Sequence, residues 1–153
     1  MSALYCFVIT ILWHIVVFIF IISWDHDAFY KENIKINIKK IKKRERFYEN
    51  FFKIKKWKDK IPQYIGKNGF SKKKFISFNI SYLKEFIAET YRGEFDHLAC
   101  CAIIPFLFIL SSFQTAIFFS ITVILINLPC IFIQRYNRAR LRKLFLLKYK
   151  YLK

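Results

Sequence analysis

Three long apolar runs constrain the fold of this 153-residue chain more than any other feature, at residues 4–23, 98–113 and 115–133. As helices, the first and third are long enough to cross a hydrocarbon layer about 30 Å thick. The second is short, but the helical segment before it can extend it. Backbone groups in lipid must be satisfied internally, and few glycines and prolines are present. The sequence therefore predicts an all-α membrane protein with three transmembrane helices in a single domain, residues 1–153.

Charge is distributed unevenly around these runs and predicts their orientation. The loop at 25–97 holds 19 basic and all 10 acidic residues, and the tail at 134–153 holds eight basic residues and no acidic one. The N-terminus and the short connection around Gln114 contain no lysine or arginine. Because positive loops stay on the cytoplasmic side, we expect the N-terminus outside and the loop and C-terminus in the cytoplasm.

Aromatic and apolar residues recur at three- and four-residue steps between Phe47 and Ile61, with lysines between them. This spacing predicts an amphipathic helix lying at the cytoplasmic membrane interface, with anionic lipid headgroups as partners. The same lysines could in principle contact nucleic acid, but membrane topology already accounts for the charge of +17, so we expect no nucleic-acid partner.

A second helix is predicted from Tyr82 with Ser81 as its N-cap, after a turn at 66–69 and a basic connector at 71–74. Its inward stripe begins with apolar Leu83, Phe86 and Ile87. It continues through polar Thr90, Glu94 and His97. Ionisable groups beside an apolar slab are costly to desolvate, so they mark a candidate functional site.

This polar stripe carries the chemistry of a general base. Glu94 lies one turn before His97 and Glu89 two turns before it, so either carboxylate could orient the imidazole and raise its basicity. Such a pair can take a proton from a hydroxyl that attacks an acyl carbonyl. The equally weighted alternative is an ion-paired helix boundary. A metal site at Glu94 and His97 would need more ligands than the sequence offers, so no metal is expected.

Candidate substrate-binding residues flank the third span. Asn127 is the only amide well inside it, close to Pro129, and could donate to an oxyanion together with Tyr136 or Asn137. Arginines of the tail could grip phosphates, although topology alone also explains them. His14 is interpreted as a span residue satisfied by packing. The predicted binding set is Arg92, Asn127, Gln134, Arg135, Tyr136, Asn137 and Arg138.

At these residues the chain resembles the glycosyl-4,4'-diaponeurosporenoate acyltransferases, small bacterial membrane enzymes of staphyloxanthin-type carotenoid synthesis. Three blocks in order carry the resemblance: Lys55-Lys-Trp-Lys-Asp-Lys-Ile-Pro62, Tyr82-Leu-Lys-Glu-Phe-Ile-Ala-Glu-Thr-Tyr-Arg-Gly-Glu-Phe-Asp-His97 and Ile126-Asn-Leu-Pro-Cys-Ile-Phe-Ile-Gln-Arg-Tyr-Asn-Arg-Ala-Arg-Leu141. The family pattern differs at Gly93, Leu98 and Ala139, whereas the polar positions are kept. The resemblance implies a bacterial cell-membrane enzyme that transfers a fatty acyl chain to a glucose hydroxyl of a glycosylated carotenoid.

The resulting hypothesis is a membrane acyltransferase in which His97, supported by Glu94 or Glu89, activates a sugar hydroxyl. It would bind no cofactor and would use an acyl-coenzyme A or acyl-carrier-protein thioester as co-substrate. Three spans enclose little interior, so a homo-oligomer would help to close the pocket. The alternative is a non-catalytic scaffold of a lipid or pigment synthesis complex, which would tolerate substitution of His97.

Overall fold

The computed structural model describes residues 3–24, 38–61 and 79–151, with side chains up to residue 148. Within these ranges the chain forms only helices and turns: α1 (Ala3–Ser23), α2 (Ile38–Asn50), two short 3₁₀ turns (Ile54–Lys56 and Lys58–Lys60), α3 (Ile80–Cys101), α4 (Ile104–Leu110) and α5 (Phe113–Tyr151). Three segments are long and apolar enough to cross a membrane, namely α1, α3 with α4, and α5. The predicted all-α membrane fold with three spans is confirmed.

The chain divides into two compact units. The helices α3 and α5 each contribute one segment to the first unit and another to the second. The first unit comprises Met1–Asp25 and Arg92–Ile131. Its core is a cluster from α1, α4 and α5, with the fully buried residues Cys6, Leu107, Ala116 and Val123. Small residues at such positions let helices approach closely, which favours packing where lipid removes most of the hydrophobic driving force.

The second unit comprises His26–Tyr91 and Phe132–Lys153. Leu83, Phe86 and Ile87 of α3 are buried there against Leu141 and Phe145 of α5. These three α3 residues form the apolar part of the stripe predicted from the sequence, and their burial confirms that it faces inward. Thr90, the next member of the stripe, is fully buried as well.

The second span is interrupted close to Pro105. α3 ends at Cys101, and α4 begins at Ile104 with Pro105 in its first turn. A proline has no backbone N–H to donate and its ring crowds the preceding turn, so the helix breaks just before it. Ser111 and Ser112 then connect α4 to α5, close to the predicted hairpin, and Ser112 Oγ hydrogen-bonds to Thr115 Oγ1 at 2.9 Å.

α5 is much longer than the third span predicted at 115–133. It runs for 39 residues and contains Pro129 in its interior. About 20 helical residues suffice to cross the hydrocarbon layer. The residues assigned to a separate basic tail, from 134 onward, therefore continue the same helix through Tyr151.

The predicted amphipathic helix over 47–61 is wrong beyond its first turn. α2 ends at Asn50, and Lys53 has φ 48°, a left-handed conformation that an α-helix cannot contain. In one continuous helix, Phe52 and Ile54 would point about 200° apart. Because of the break at Lys53, Ile54 is fully buried beside Tyr136, and the ring centroids of Phe52 and Phe132 are 4.3 Å apart.

Two further sequence predictions concern the start of α3 and the loop before it. α3 begins at Ile80, two residues earlier than predicted, and its cap is Asn79, whose Oδ1 accepts a hydrogen bond from the backbone N–H of Ser81 at 3.4 Å. Asparagine is a favoured N-cap because its short side chain reaches such orphan donors. The predicted turn at 66–69 and basic connector at 71–74 lie outside the described residues, as does Pro62.

Candidate active site

Two histidines and an asparagine are joined by hydrogen bonds in the first unit. His97 Nδ1 lies 3.0 Å from Asn127 Oδ1, and Asn127 Nδ2 lies 3.2 Å from His14 Nε2. Asn127 Nδ2 also donates to the backbone carbonyl of Val123 at 2.9 Å. Asn127 is only 1% exposed. One buried amide therefore links imidazoles from α1 and α3.

The carbonyl groups around this network fix its protonation pattern. The Thr10 carbonyl, 2.8 Å from His14 Nδ1, can only accept, so neutral His14 carries its proton on Nδ1 and accepts at Nε2. The Val123 carbonyl likewise requires the NH₂ end of Asn127 to face it. Both anchors orient the amide the same way, so Asn127 Oδ1 accepts from His97 Nδ1–H. In neutral His97 the lone pair is then on Nε2, as a general base requires.

Neighbouring contacts hold the helices that carry these side chains. Trp13 Nε1 donates to the carbonyl of Ala99 at 3.0 Å, which ties α1 to α3 one residue before His14 in sequence. Val17 and Ile21 of α1 are buried with Cys100 of α3. An interhelical hydrogen bond in a membrane contributes about 0.6 kcal/mol on average, so packing and polar contacts act together here.

The two carboxylates predicted to support His97 are both buried, but neither is the hydrogen-bond partner of His97 Nδ1. Glu94 belongs to the first unit and is buried, as is Arg92, whereas Glu89 is buried in the second unit. The group that hydrogen-bonds to His97 Nδ1 is the amide of Asn127 and not a carboxylate. The structure thus joins two predicted site residues, His97 and Asn127, in a pairing that the sequence analysis did not foresee.

Two of the three predicted oxyanion donors, Asn127 and Tyr136, already donate to other groups. Asn127 donates both amide hydrogens, one to the Val123 carbonyl and one to His14 Nε2. In the second unit, the Tyr136 hydroxyl donates to Glu49 Oε1 at 3.0 Å. Asn127 is therefore better described as an orienting group than as an oxyanion donor.

Glu49 is the acceptor in a small ionic cluster of the second unit. Lys55 Nζ lies 2.6 Å from the same Oε1 that Tyr136 contacts. The hydrogen bond from Lys55 lowers the pKa of the Glu49 carboxyl below its ordinary value of 4.5, and the bond from Tyr136 acts in the same direction against the opposing effect of burial. The carboxylate therefore stays ionised and holds α2 to α5.

Two arginines of α5 converge on one tyrosine of α3 in the second unit. The Arg138 guanidinium lies 4.0 Å from the centroid of the Tyr91 ring, and Arg142 Nη2 donates to the Tyr91 hydroxyl at 2.6 Å. Stacking of this kind suits the planar guanidinium and fixes its direction. Arg138 was predicted as a binding residue; Arg142 lies one helical turn beyond it.

Three further predicted binding residues lie in the second unit, and they differ in exposure. Arg135 is exposed, Asn137 is half-buried and Gln134 is buried. Gln134 Oε1 has no hydrogen-bond partner among the residues with described side chains. These three remain predicted binding residues.

The described parts of the chain, 3–24, 38–61 and 79–151, contain no group of three or more histidine, cysteine, aspartate or glutamate side chains arranged to hold a metal ion. The sequence signal that could have identified His14 is its position inside an apolar span, where an ionisable side chain is expensive and usually has a polar partner.

One family of known proteins matches most of the chain. The family profile for glycosyl-4,4'-diaponeurosporenoate acyltransferase matches residues 25–146. Proteins of that name from Staphylococcus aureus strains MRSA252, N315 and USA300 are each 30% identical to the chain over 105 residues, which are 67% of this chain and 62% of the relative. The chain thus spans less than two thirds of the length of these relatives. No solved structure matches it.

Proposed function

The chain belongs to the glycosyl-4,4'-diaponeurosporenoate acyltransferase family, and on that premise we propose that it is a membrane O-acyltransferase. Its acceptor is a sugar hydroxyl of a glycosylated carotenoid or a related glycolipid. Its donor is a fatty acyl thioester of coenzyme A or of a carrier protein. The observation that supports this proposal most is the hydrogen bond between His97 Nδ1 and Asn127 Oδ1, because it leaves Nε2 as the basic nitrogen.

In the proposed reaction, His97 Nε2 takes the proton of the sugar hydroxyl while the hydroxyl oxygen attacks the thioester carbonyl carbon. The tetrahedral intermediate then collapses, the carbon–sulfur bond breaks, and the leaving thiolate takes the proton back from His97. The products are a sugar ester and a free thiol. Asn127 Oδ1 accepts from Nδ1–H in both charge states of His97, so the ring keeps its orientation throughout.

The charged residues have supporting roles in this proposal. Glu94 is buried in the same unit as His97, and its negative charge favours the imidazolium that forms during transfer. Arg92, buried in the same unit, is assigned to binding of the acyl donor. In the second unit, we assign phosphate groups of the donor to Arg138, with Gln134, Arg135 and Asn137 as further contacts. Glu89 remains a second candidate carboxylate, and a homo-oligomer remains the proposed assembly.

Substitution of His97 tests the proposal directly. In cells that lack the native copy, we expect His97→Gln and His97→Ala to reduce the acylated glycolipid at least about 100-fold, because a positioned general base contributes about 10²- to 10⁴-fold. Glu94→Gln should reduce it less. Lipid mass spectrometry measures the product as a mass difference of one acyl chain.

His26→Gln is the matched control, since it makes the same substitution at a histidine outside the predicted set of site residues. Its product yield should equal that of the unaltered protein at the same expression level. Full product from His97→Ala at normal expression would exclude the mechanism and favour a non-catalytic scaffold of the synthesis complex.

A further inference from the structure

His14 is the part of the hydrogen-bonded network that the proposed reaction does not yet use. It lies on α1, before residue 25, where the family match begins. It is partly buried and bonds at both ring nitrogens, to the Thr10 carbonyl at 2.8 Å and to Asn127 Nδ2 at 3.2 Å. An imidazole with both nitrogens satisfied has no free nitrogen for chemistry of its own, so its effect is exerted on Asn127.

The effect on Asn127 follows from the geometry of an amide. Its two N–H bonds lie in one plane with the C=O group, and each is directed to a different acceptor, the Val123 carbonyl and His14 Nε2. Two fixed acceptors determine the plane of the amide as well as the position of its nitrogen. With one acceptor removed, the side chain can rotate about the remaining hydrogen bond, and Oδ1 no longer points steadily at His97.

Loss of that direction would change the proton position on His97. A histidine tautomer is set by the hydrogen bond at the other ring nitrogen, here the bond from Nδ1–H to Asn127 Oδ1. If the amide turns, the proton can move to Nε2, and the lone pair is lost from the nitrogen that acts as the base in the proposed reaction.

We infer that His14 is a positioning residue of the acyl transfer, which acts through Asn127 to keep the proton of His97 on Nδ1. This inference rests on the proposed function for its catalytic consequence. Its structural part, the tautomer of His97, is independent of the reaction.

The experiment combines two substitutions of His14 with a spectroscopic and a kinetic readout. His14→Phe keeps a planar ring and removes the acceptor, whereas His14→Gln offers an acceptor oxygen to Asn127 again. The chain has only three histidines, so ring-¹⁵N-labelled protein in detergent gives three imidazoles to assign, and His26→Gln serves as the assignment and control variant. Spectra are recorded at about pH 8.5, well above the ordinary pKa of histidine.

We expect His97 to be protonated at Nδ1 in the unaltered protein, in His26→Gln and in His14→Gln. In His14→Phe its signal should shift toward the Nε2–H form, and kcat should fall about tenfold with little change in KM, because orientation and not substrate binding is lost. His14→Gln should recover at least half of kcat.

Two results would overturn the inference. One is a His97 tautomer that does not change in His14→Phe, whatever happens to kcat; the other is a changed tautomer with full kcat. If the tautomer changes as expected but the unaltered protein transfers no acyl chain to any glycolipid hydroxyl, the proposed function fails while the hydrogen-bond relation of His14 to His97 stands.

Discussion

Asn127 is the side chain on which the candidate site depends, because it is bonded to both imidazoles and to its own helix. Replacing it with leucine should reduce kcat about 100-fold, since His97 loses the group that orients it. It should also lower the stability by about 1 to 3 kcal/mol, because His97 Nδ1–H and His14 Nε2 lose their hydrogen-bond partner. Product formation and thermal unfolding in detergent measure the two effects.

Asn127→Asp is the informative companion to that variant. A carboxylate keeps an acceptor for His97 but faces the Val123 carbonyl and His14 Nε2 with oxygen where nitrogen donated before. It should therefore unfold at a lower temperature than Asn127→Leu, as expected for a buried charge without suitable partners. Equal loss of stability in the two variants would contradict the donor pattern assigned to the amide.

Candidate site residues could be proposed from the sequence, but the contacts between them could not. His97 and Asn127 stand out as polar residues in or beside apolar runs, and each was predicted as a site residue. Their partners were not: a carboxylate one turn away was the nearest candidate along the chain, whereas the observed partner is 30 residues distant. His14, 113 residues from Asn127, was interpreted as satisfied by packing, but it hydrogen-bonds to that amide. Contacts between helices depend on their rotation, which periodicity within one helix does not determine.

At the scale of elements, the Tyr136 hydroxyl and Glu49 connect α5 with α2. Tyr136→Phe should lower the stability of the second unit by about 1 to 2 kcal/mol, because it removes a hydrogen bond to a charged acceptor. Tyr48→Phe is the matched control: Tyr48 packs against the same cluster, and its contacts are with aromatic rings. Thermal unfolding in detergent measures both.

The pH dependence gives a second check of the same bond. The pKa of Glu49 is lowered in the folded protein, so the stabilisation is complete above the ordinary value of 4.5 and is lost as the pH falls through the lowered folded value. The stability difference between the unaltered protein and Tyr136→Phe should therefore be constant at neutral pH and shrink in acid. A difference that persists unchanged at low pH would mean that the tyrosine acts through packing.

The helices themselves show where sequence periodicity suffices and where it does not. Long apolar runs predicted three spans, and these were confirmed because lipid tolerates few other structures. The prediction of a helix over 47–61 was wrong because an amphipathic spacing does not reveal the left-handed backbone conformation of Lys53. The signal for the α3 break is Pro105, which lies inside the second apolar run.

For the whole molecule, the distribution of lysine and arginine predicts an external N-terminus and a cytoplasmic loop and C-terminus. Fluorescent protein fused after Lys153 should therefore fluoresce, and alkaline phosphatase at the same position should be inactive, because each reporter works on one side only. Reporters inserted at Gln114 should give the opposite pattern. The reverse result at either position would contradict the proposed orientation.

A cytoplasmic loop would also explain the exposed aromatic surface at the C-terminal end of α2. Phe47 and Phe51 are 52% and 72% exposed, and their rings stack with centroids 5.6 Å apart. Exposed Lys53, Lys55 and Lys56 follow. Apolar rings beside lysines are suited to the anionic inner leaflet, where each basic residue contributes about 1 kcal/mol. If the reporters place the loop outside, this surface must meet a different partner.

The position of His14 on the first helix has a practical consequence for truncated versions of this protein. A shortened version that started at residue 25, where the family match begins, would keep His97, Asn127 and the arginines of α5. It would still lack one of the two acceptors that steady the asparagine. Poor turnover by such a fragment would then be misread as an inactive enzyme, although the defect would come from an absent hydrogen-bond acceptor.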